Sequence, residues 1–558
     1  MNRSDKFEKI RNIADAICAK EVNPEQINNL DNLLRGDPDA QQFYYDYIEM
    51  HIHMKAEVGP SMEVVRRRLQ VDEVIFRPST HNTENPQIAT PTTTLNQITH
   101  HSASRRGVPI KWLIISILLT AAIAAVFALG FLHNEKQAGV AELFTEDALR
   151  IEGQGKIESN RIYPGIYSAI KPVTMMLTSG EELTLAKNTF IKLYNSAEIE
   201  IIRGHLSVKQ ATGKNLIFNT PSFTLHSGGE EISIDLTKQQ AKVISSGTAH
   251  IQPKRWRPNH YWPFESDSDR VADYAGNAFG ILSTGVTKVN GLVGNNAFLF
   301  NNSANARINV GSGGGTVPAT GSFSVIDGVT IEALIVPHFK GQESVTVDNY
   351  VPEQDQIFRK DQTDKHHRML LSLKNARPNS HIWPNNKIKG NTIAFGMYLI
   401  GHGYHTLLLP LDGKQGRPSL KQLKDGKAHH VVASYDVSTG LKAIFVDGKM
   451  QASYQYPKGT KMISGGSGMA NIGNSPNRKD DREAYAGIID EVAFYDFALP
   501  PYMIKQHYEA AMKGKNYFNV NLADGSLPLN INIPIPENEV VYIDSQTGLI
   551  NRTEPIAQ

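Results

Sequence analysis

An uninterrupted apolar run lies in the middle of this sequence, from Trp112 to Leu132. It contains no charged residue, and as a helix rising about 1.5 Å per residue it is long enough to cross a hydrocarbon core of roughly 30 Å. More than a hundred residues precede it, whereas a secretory signal lies within the first ~30 residues. A buried helix of a soluble protein is the alternative, but such helices seldom stay apolar on every face. The run therefore predicts one transmembrane helix, with a domain on each side.

The residues that flank this run predict its orientation. Arg105, Arg106 and Lys111 precede it, whereas mainly acidic residues follow it. Because Lys and Arg are enriched on the cytoplasmic side of a membrane, residues 1–111 are expected inside the cell and 133–558 outside. This predicts a single-pass protein of the cell inner membrane, with a cytoplasmic N-terminus and periplasmic or extracellular C-terminal domains.

Charge and cysteine content narrow the classes of function. The formal net charge is +1 over 558 residues, which argues against a broad electrostatic attraction for nucleic acid. The one cysteine, Cys18, lies in the predicted cytoplasmic part, so no disulfide is expected in the exported domains. A metal site built on two or more cysteines is excluded.

Residues 1–77 have the pattern of a small helical module. Helix-start signals recur at Asn-Pro and Asp-Pro steps, and Phe43, Tyr47 and Met50 then form an apolar stripe at helical spacing. A bundle this small buries little surface, so its remaining apolar face is a candidate partner surface. Residues 78–111 are rich in Pro, Thr, Asn and Ser and are expected to form a disordered linker.

Part of this module resembles a known family. Residues 30–54, LDNLLRGDPDAQQFYYDYIEMHIHM, resemble the N-terminal segment of anti-sigma-like regulators of planctomycete-type bacteria. In both, a leucine pair precedes an acidic-Pro-acidic turn and a Tyr-rich helix. The resemblance implies that the module holds an extracytoplasmic-function sigma factor, with Phe43, Tyr47 and Met50 as contact residues. Physical reasoning alone gives only a small helical module.

Residues 140–252 alternate apolar and polar side chains in short segments, which predicts β-strands. The clearest case is a hairpin around Gly180. Fragments of this region resemble the FecR domain of ferric-citrate-type signalling regulators, at 177–185, 204–208 and 218–221. Where that family often has Gly-Thr-Glu-Phe, this sequence reads Gly-Gly-Glu-Glu at 228–231.

Residues 259–514 carry further strands with Gly- and Asn-rich connections. Residues 329–335 alternate strictly, and Asp-Gly turns occur at 425–426 and 447–448. This pattern predicts an antiparallel jelly-roll sandwich, followed by a strand-like tail at 515–558.

Three motifs in this segment resemble the LamG-like, concanavalin A-like jelly roll. They are WPFE at 262–265, HHVV at 429–432 and GIIDEV at 487–492. The resemblance implies binding of a glycan, matrix or other protein, in some members through calcium. Fold alone assigns no activity.

Two candidate binding sites lie within the jelly roll, and for each the structural alternative given below is the favoured interpretation. Asp267, Asp269 and Asp273 cluster in its first loop and offer the oxygen ligands that calcium requires. Trp383 and Tyr404 lie in aromatic, Asn-rich segments that can stack on a sugar and hydrogen-bond it. Solvated loop acids and ordinary loop residues are the alternatives.

No catalytic residue is predicted. Glycosidases place two carboxylates on either side of the scissile bond. Asp490 and Glu491 are adjacent in a predicted strand, so alternation places their side chains on opposite faces.

The sequence as a whole predicts a multidomain fold. It comprises a small N-terminal α-helical module, one transmembrane helix, a mainly-β FecR-like domain and an antiparallel concanavalin A-like sandwich. The predicted function is single-pass signalling, with an outer ligand- or glycan-binding domain and an inner module that regulates a sigma factor. One alternative is a cell-surface carbohydrate-binding or adhesion protein. The second is a carbohydrate-active enzyme of the concanavalin A-like fold.

Overall fold

A computed structural model gives the structure of this chain. It describes residues 6, 8–14, 26, 29–30, 33, 40, 44, 138–145, 147–209, 215–229, 231–238, 240–266, 268, 270–317, 319–342, 352–361, 368–376, 388, 390–474, 483–522 and 524–556. The described residues between 6 and 44 are helical and include a small apolar cluster of Ile10, Ile13, Leu30, Leu33 and Ala40.

The described chain from residue 138 onward forms two β-sandwiches. The strands of the first sandwich are β1 (Ala141–Leu143), β2 (Leu149–Ile151), β3 (Ile157–Glu158), β4 (Arg161–Ile162), β5 (Gly165–Ala169), β6 (Val173–Leu177), β7 (Glu182–Leu185), β8 (Phe190–Leu193), β9 (Glu198–Arg203), β10 (His205–Lys209), β11 (Leu216–Asn219), β12 (Phe223–Ser227), β13 (Glu231–Asp235), β14 (Gln240–Ser245), β15 (Ala249–Pro253) and, much later, β32 (Ile533–Ile535), β33 (Glu539–Asp544) and β34 (Ile550–Pro555). Buried and half-buried residues alternate along most of them, as the sequence pattern predicts.

The predicted hairpin around Gly180 is confirmed. β6 and β7 pair antiparallel, with Val173 opposite Leu185. Gly180 lies in their turn at φ +102°, a conformation that strongly favours glycine.

The first sandwich is completed by strands from the end of the chain. Sheet 1 runs in the order β3-β4-β1-β6-β7-β10-β13-β14-β33-β34, and sheet 2 in the order β2-β5-β8-β9-β11-β12-β15-β32. Because β33 pairs with β14 and β32 pairs with β15, the second sandwich lies between two segments that belong to the same pair of sheets.

The second sandwich comprises the intervening strands and two helices. They are β16 (His260–Trp262), β17 (Arg270–Val271), β18 (Gly280–Leu282), β19 (Val286–Asn290), β20 (Asn296–Asn301), β21 (Arg307–Gly311), β22 (Gly328–Pro337), β23 (Gln354–Asp361), β24 (Arg368–Ala376), β25 (Gly390–Leu399), β26 (Gly403–Pro410), α1 (Leu420–Leu423), β27 (His429–Asp436), β28 (Leu441–Val446), β29 (Lys449–Gln455), β30 (Ala470–Gly473), β31 (Ala486–Tyr495) and α2 (Pro501–Ala511).

Two sheets of this sandwich enclose one apolar core. Sheet 3 runs β19-β20-β31-β22-β27-β28-β29, with β16 also paired to β31, and sheet 4 runs β17-β18-β21-β30-β23-β24-β25-β26. The strict alternation predicted on β22 is confirmed, because Val329, Ile331 and Ile335 lie in the core while Leu334 lies outside it.

The two sheets differ in what lies against their outer faces. The outer face of sheet 3, which we call the back face, packs against α2 and the first sandwich in one continuous apolar cluster that includes Leu334, Phe445 and Ile504. The outer face of sheet 4, which we call the front face, lies on the opposite side of the sandwich core.

The predicted fold class is wrong as a whole, although its concanavalin A-like part is confirmed. The described chain is mostly β, and α2, at 11 residues, is the longest helix named within it. Within the described ranges, every helix falls short of the length and apolarity needed to traverse a bilayer. Apolar residues are instead spread along alternating strands, and the core is built from side chains distant in sequence. The run at 112–132 and the stripe Phe43, Tyr47 and Met50 lie outside the described residues.

Candidate functional site

A single row of side chains crosses the whole front face. Residues directly opposite each other in paired strands project to the same side of a sheet. The row, which we call the front row, contains Arg270, Ile281, Asn309, Asn471, Arg359, Leu370, Gly396 and Thr406, in order from β17 to β26. Neighbouring strands lie about 4.8 Å apart, so the row is long enough to contact an extended ligand. Its first members are exposed and its middle is buried.

An ion-pair network surrounds Arg359 in the middle of the row. Its Nε donates to Asp361 Oδ1 at 2.8 Å, and its terminal nitrogen lies 3.5 Å from Glu483 Oε2. The same Glu483 oxygen accepts from Gln356 Nε2 at 2.6 Å. Arg359 is therefore already held and neutralised by two carboxylates of this chain.

Several buried polar atoms beside this network lack a partner. Asn471 is fully buried, and among the residues that the structure describes neither its Oδ1 nor its Nδ2 has a hydrogen-bond partner. The same holds for Gln356 Oε1, Ser372 Oγ and Arg307 Nε. Ser372 lies directly opposite Gln356, and Arg307 lies two residues from Asn309 on β21. An unpartnered buried polar group costs about 1–3 kcal/mol. These atoms have no accessible surface, so a ligand reaches them only if the groups that cover them move.

Two buried titratable groups anchor β23 at either end. Lys360 Nζ lies 2.6–3.1 Å from the carbonyl oxygens of Asp361, Gly465, Gly466 and Gly468, and burial lowers the pKa of Lys360 to about 7. Burial raises the pKa of the Asp355 carboxyl to about 7. Both hold the strand that carries Arg359 and Gln356.

The structure places one of the two predicted sugar-stacking residues on the front face. Tyr404 is half-buried on β26, and a Cβ added at Gly396 would collide with its hydroxyl. Its ring therefore lies across the far end of the front row. Trp383 lies outside the described residues.

The predicted calcium loop is only partly described. Asp267 and Asp269 lie outside the described residues. The Asp273 carboxylate is buried and accepts from His260 Nδ1 at 2.7 Å and from backbone N–H groups that include those of Tyr261 and Ala278. It therefore organises the loop through hydrogen bonds.

The prediction that Asp490 and Glu491 point apart is wrong. A β-bulge interrupts the β22–β31 pairing, and Glu491 has φ +49°, so two successive side chains emerge on the back face. Asp490 Oδ2 accepts from the Leu292 and Val293 N–H groups at 2.9 and 3.1 Å. The Tyr261 hydroxyl donates to Glu491. Burial, and then the neighbouring Asp490 charge, raises the pKa of Glu491 well above its usual range.

A cleft of about 670 Å³ lies beside the back face. Its lining includes Glu265, Glu491, Asn295 and part of the segment 514–522. Glu265 accepts from the Asn295 backbone and side-chain nitrogens at 2.8 and 3.0 Å. One oxygen of Glu491 is unpartnered. In the part of the chain that the structure describes, no three His, Cys, Asp or Glu side chains are arranged to hold a metal ion. Among the described residues, the front face as a whole carries more unpartnered groups, at Asn471, Gln356, Ser372 and Arg307, and is the stronger candidate.

Comparison with known families identifies the fold of the second sandwich. Residues 311–505 match the family model described as the concanavalin A-like lectin/glucanases superfamily. The chain carries a concanavalin A-like domain. No FecR family model matches, and no comparison supports the planctomycete-type resemblance. No curated protein matches the sequence.

Several solved structures are similar to the chain at low identity. The binding domain of botulinum neurotoxin serotype G is 14% identical, with a TM-score of 0.31, covering 45% of this chain and 51% of that chain. Domain 4 of AbnA, a GH43 extracellular arabinanase from Geobacillus stearothermophilus in complex with arabinotriose, is 17% identical, with a TM-score of 0.28, covering 45% and 97%. The CBM40 of Ruminococcus gnavus IT-sialidase, bound to α2,3 sialyllactose, is 12% identical, with a TM-score of 0.22, covering 32% and 82%. This chain thus spans about half the length of the neurotoxin domain. TM-scores as low as these support no argument about function.

Proposed function

We propose that the concanavalin A-like domain binds carbohydrate at its front face and does not cleave it. The observation that carries this proposal is the match of residues 311–505 to the concanavalin A-like lectin/glucanases model, and the polar front face, where the amide of Asn471 has no partner among the described residues, is the candidate surface. A carboxamide complements a pair of neighbouring hydroxyl groups, since each hydroxyl both donates and accepts, and contact with this buried amide requires the groups that cover it to move aside.

Neighbouring groups support the same kind of ligand. Gln356 Oε1 and Ser372 Oγ add an acceptor and a hydroxyl on the same face. A site built to hydrogen-bond a ligand strongly rejects one that leaves its buried polar atoms unpaired. The family description, which joins lectins and glucanases, supports carbohydrate as the ligand class.

The carboxyl groups of the domain support recognition without catalysis. Asp490 and Glu491 are fully buried and share the back face. Asp361 and Glu483 on the front face are occupied by Arg359 and Gln356. None of these pairs is placed in the described structure to flank an open glycosidic bond.

The signalling function stays a prediction. Its proposed contact residues in the N-terminal module lie outside the described residues, and no comparison bears on a sigma factor. Carbohydrate recognition is supported at a coarse level by the family description.

A glycan array of the full-length chain tests the proposal. We expect binding to a defined set of glycans, and we expect Asn471→Leu to weaken the best of them by about tenfold or more, because each lost hydrogen bond leaves a ligand hydroxyl unpaired. Ser434→Ala, on the back face, is the control and retains binding. An array on which the folded wild type binds no glycan contradicts the proposal.

A further inference from the structure

The ammonium group of Lys360 is surrounded by four backbone carbonyl oxygens. Its Nζ lies 2.7 Å from Asp361 O, 3.1 Å from Gly465 O, 3.0 Å from Gly466 O and 2.6 Å from Gly468 O. The residue is 1% exposed. An ammonium group has three N–H donors, so the oxygens outnumber its donors and enclose it as they would enclose a metal ion. We call these four oxygens the carbonyl cage.

The loop that supplies three of these oxygens has a backbone shaped for this contact. Gly465 has φ +73° and Gly466 has φ +80°, a conformation that glycine adopts far more readily than other residues. In it, two successive carbonyl groups reach the same nitrogen. A Cβ added at Gly468 would collide with the carbonyl group of Asp361. The loop therefore approaches the end of β23 backbone to backbone, with the cation between them.

The chemistry of the cage fits a monovalent cation. All four oxygens are neutral carbonyls, and their distances of 2.6–3.1 Å from Nζ are mostly longer than the 2.3–2.6 Å that calcium takes from its oxygen ligands. Backbone carbonyls are the groups that replace the hydration shell of potassium in channel filters. The Phe323 ring centre, 5.8 Å from Nζ, adds a cation–π contact.

The cage holds two loops at one end of the second sandwich. The Gly466 N–H donates to Thr320 O at 3.1 Å, and the Ala319 N–H donates to Ser464 O at 2.8 Å. The loop at 463–468 then leads directly into β30. Buried carbonyl groups without a partner destabilise a fold, so the position of both loops depends on the cation that fills the cage.

We infer that Lys360 serves as the chain's own structural cation, and that the cage binds potassium or ammonium when this side chain is removed. Lys360→Ala keeps the four oxygens and leaves space where the side chain lay. Gly468 is half-buried, and its neighbours Ser467 and Met469 are exposed, so the cage lies close to the surface and an ion can enter it. The inference does not depend on the proposed carbohydrate function.

A second buried lysine provides the matched comparison. Lys442 is fully buried, and its Nζ donates to His405 O at 2.9 Å and lies 4.6 Å from the centre of the Phe395 ring. Burial lowers the pKa of Lys442 well below its usual range. Among the described residues this amine has one carbonyl partner, compared with four at Lys360. Lys442→Ala therefore leaves a cavity without a carbonyl cage.

Thermal unfolding of full-length Lys360→Ala at pH 6 tests the inference, in equal concentrations of potassium, ammonium or choline chloride. At this pH the wild-type amine is protonated, since its pKa is about 7. We expect the Tm of the variant to be higher by about 2 °C or more in potassium or ammonium than in choline, because an ion that binds only the folded state stabilises it by mass action. Hydrogen exchange at 463–468 is expected to slow in the same salts.

Three chains are expected to show no such preference. The wild type has its cage filled, Lys360→Met fills the same space with an apolar side chain, and Lys442→Ala has no cage. The inference is overturned if Lys360→Ala has the same Tm in all three salts or folds in none of them. It is also overturned if Lys442→Ala shows an equal shift, or if exchange at 463–468 does not respond to the ion.

Discussion

Two buried polar clusters on opposite faces of the concanavalin A-like domain differ in how completely they are paired. On the back face, both Glu332 oxygens are bonded: Oε1 accepts from the Tyr495 hydroxyl at 2.6 Å, and Oε2 lies 3.1 Å from His430 Nε2. His507 of α2 adds a contact at 3.1 Å. On the front face, both amide atoms of Asn471 are unpartnered.

This difference separates a structural role from a binding role. The Glu332 cluster joins β22, β27 and β31 to α2, and its partners lie within the chain. Buried polar groups are paired in nearly all native structures. The proposed function assigns the unpaired atoms around Asn471 to a glycan, although His430 Nδ1 of the back-face cluster is unpaired as well. Both residues are fully buried, and burial alone therefore does not separate the two roles.

The largest expected effect is on the back face. Glu332→Ala removes the acceptor that serves Tyr495, His430 and His507, and breaking a buried pair in this way costs about 3–5 kcal/mol. Chemical denaturation of the full-length chain measures this as a lower free energy of unfolding. Glu509→Ala, on the exposed side of α2 where Glu509 pairs with Lys505, is the control and costs well under about 1 kcal/mol. A Glu332→Ala loss no larger than the control would remove the structural role of the cluster.

The pH dependence of stability gives the next effect. Burial by itself raises the pKa of Glu332, but His507 and His430 outweigh it and hold that pKa at about 2, compared with 4.5 in an unfolded chain. The ionised carboxylate therefore stabilises the fold above about pH 4.5, and this contribution is lost as pH falls towards 2, by up to about 3 kcal/mol. Between pH 6 and pH 3, the thermal unfolding temperature of Glu332→Gln is expected to fall less than that of the wild type. Equal slopes in wild type and variant would show that Glu332 is not the titrating group.

A substitution on the front face is expected to leave stability unchanged or to increase it. Asn471→Leu replaces an unpaired amide by an apolar side chain of similar volume, which removes a desolvation cost of about 1 kcal/mol or more. The free energy of unfolding measured in denaturant is therefore expected to stay equal or rise, while glycan binding weakens by about tenfold or more. A fall of several kcal/mol would instead mean that Asn471 serves the fold as Glu332 does.

The smallest expected effect is on glycan binding by Ser372→Ala, for which Ser434→Ala is a closely matched control. Ser372→Ala removes a buried, unpartnered hydroxyl from the front face, whereas Ser434→Ala changes a buried serine on the back face. Since one neutral hydrogen bond is worth about 1 kcal/mol, the first substitution is expected to weaken glycan binding about fivefold and the second to leave it unchanged. Equal affinities in the two variants would place Ser372 outside the binding site.

Local sequence patterns predict the strands well and the site poorly. Period-two alternation identifies β22, and the Asp-Gly pair at 447–448 adopts positive φ in the turn between β28 and β29. Both features depend on residues close in sequence. The front row depends instead on registers between distant strands, since Asn471 meets Asn309 and Arg359 across more than a hundred residues.

The sequence predictions that were wrong or incomplete also failed because they depend on contacts between residues distant in sequence. The bulge at Glu491 breaks the alternation from which Asp490 and Glu491 were placed on opposite faces, and no residue type near it announces a positive φ. The pairing of β33 with β14 is also long-range. The sequence of 515–558 predicts strands there but gives no sign of the strand with which they pair. Of the predicted sugar-binding residues, Tyr404 lies on the front face because it is two residues from Thr406 of the front row on β26.

Hydrogen–deuterium exchange with and without a saturating glycan from the array tests the central claim most directly. Binding at the front face predicts slower exchange in peptides that cover β21, β23 and β30, with no change in β27 of the back face. Protection confined to 291–295 and 514–522 would place the ligand in the cleft beside the back face and would contradict the account.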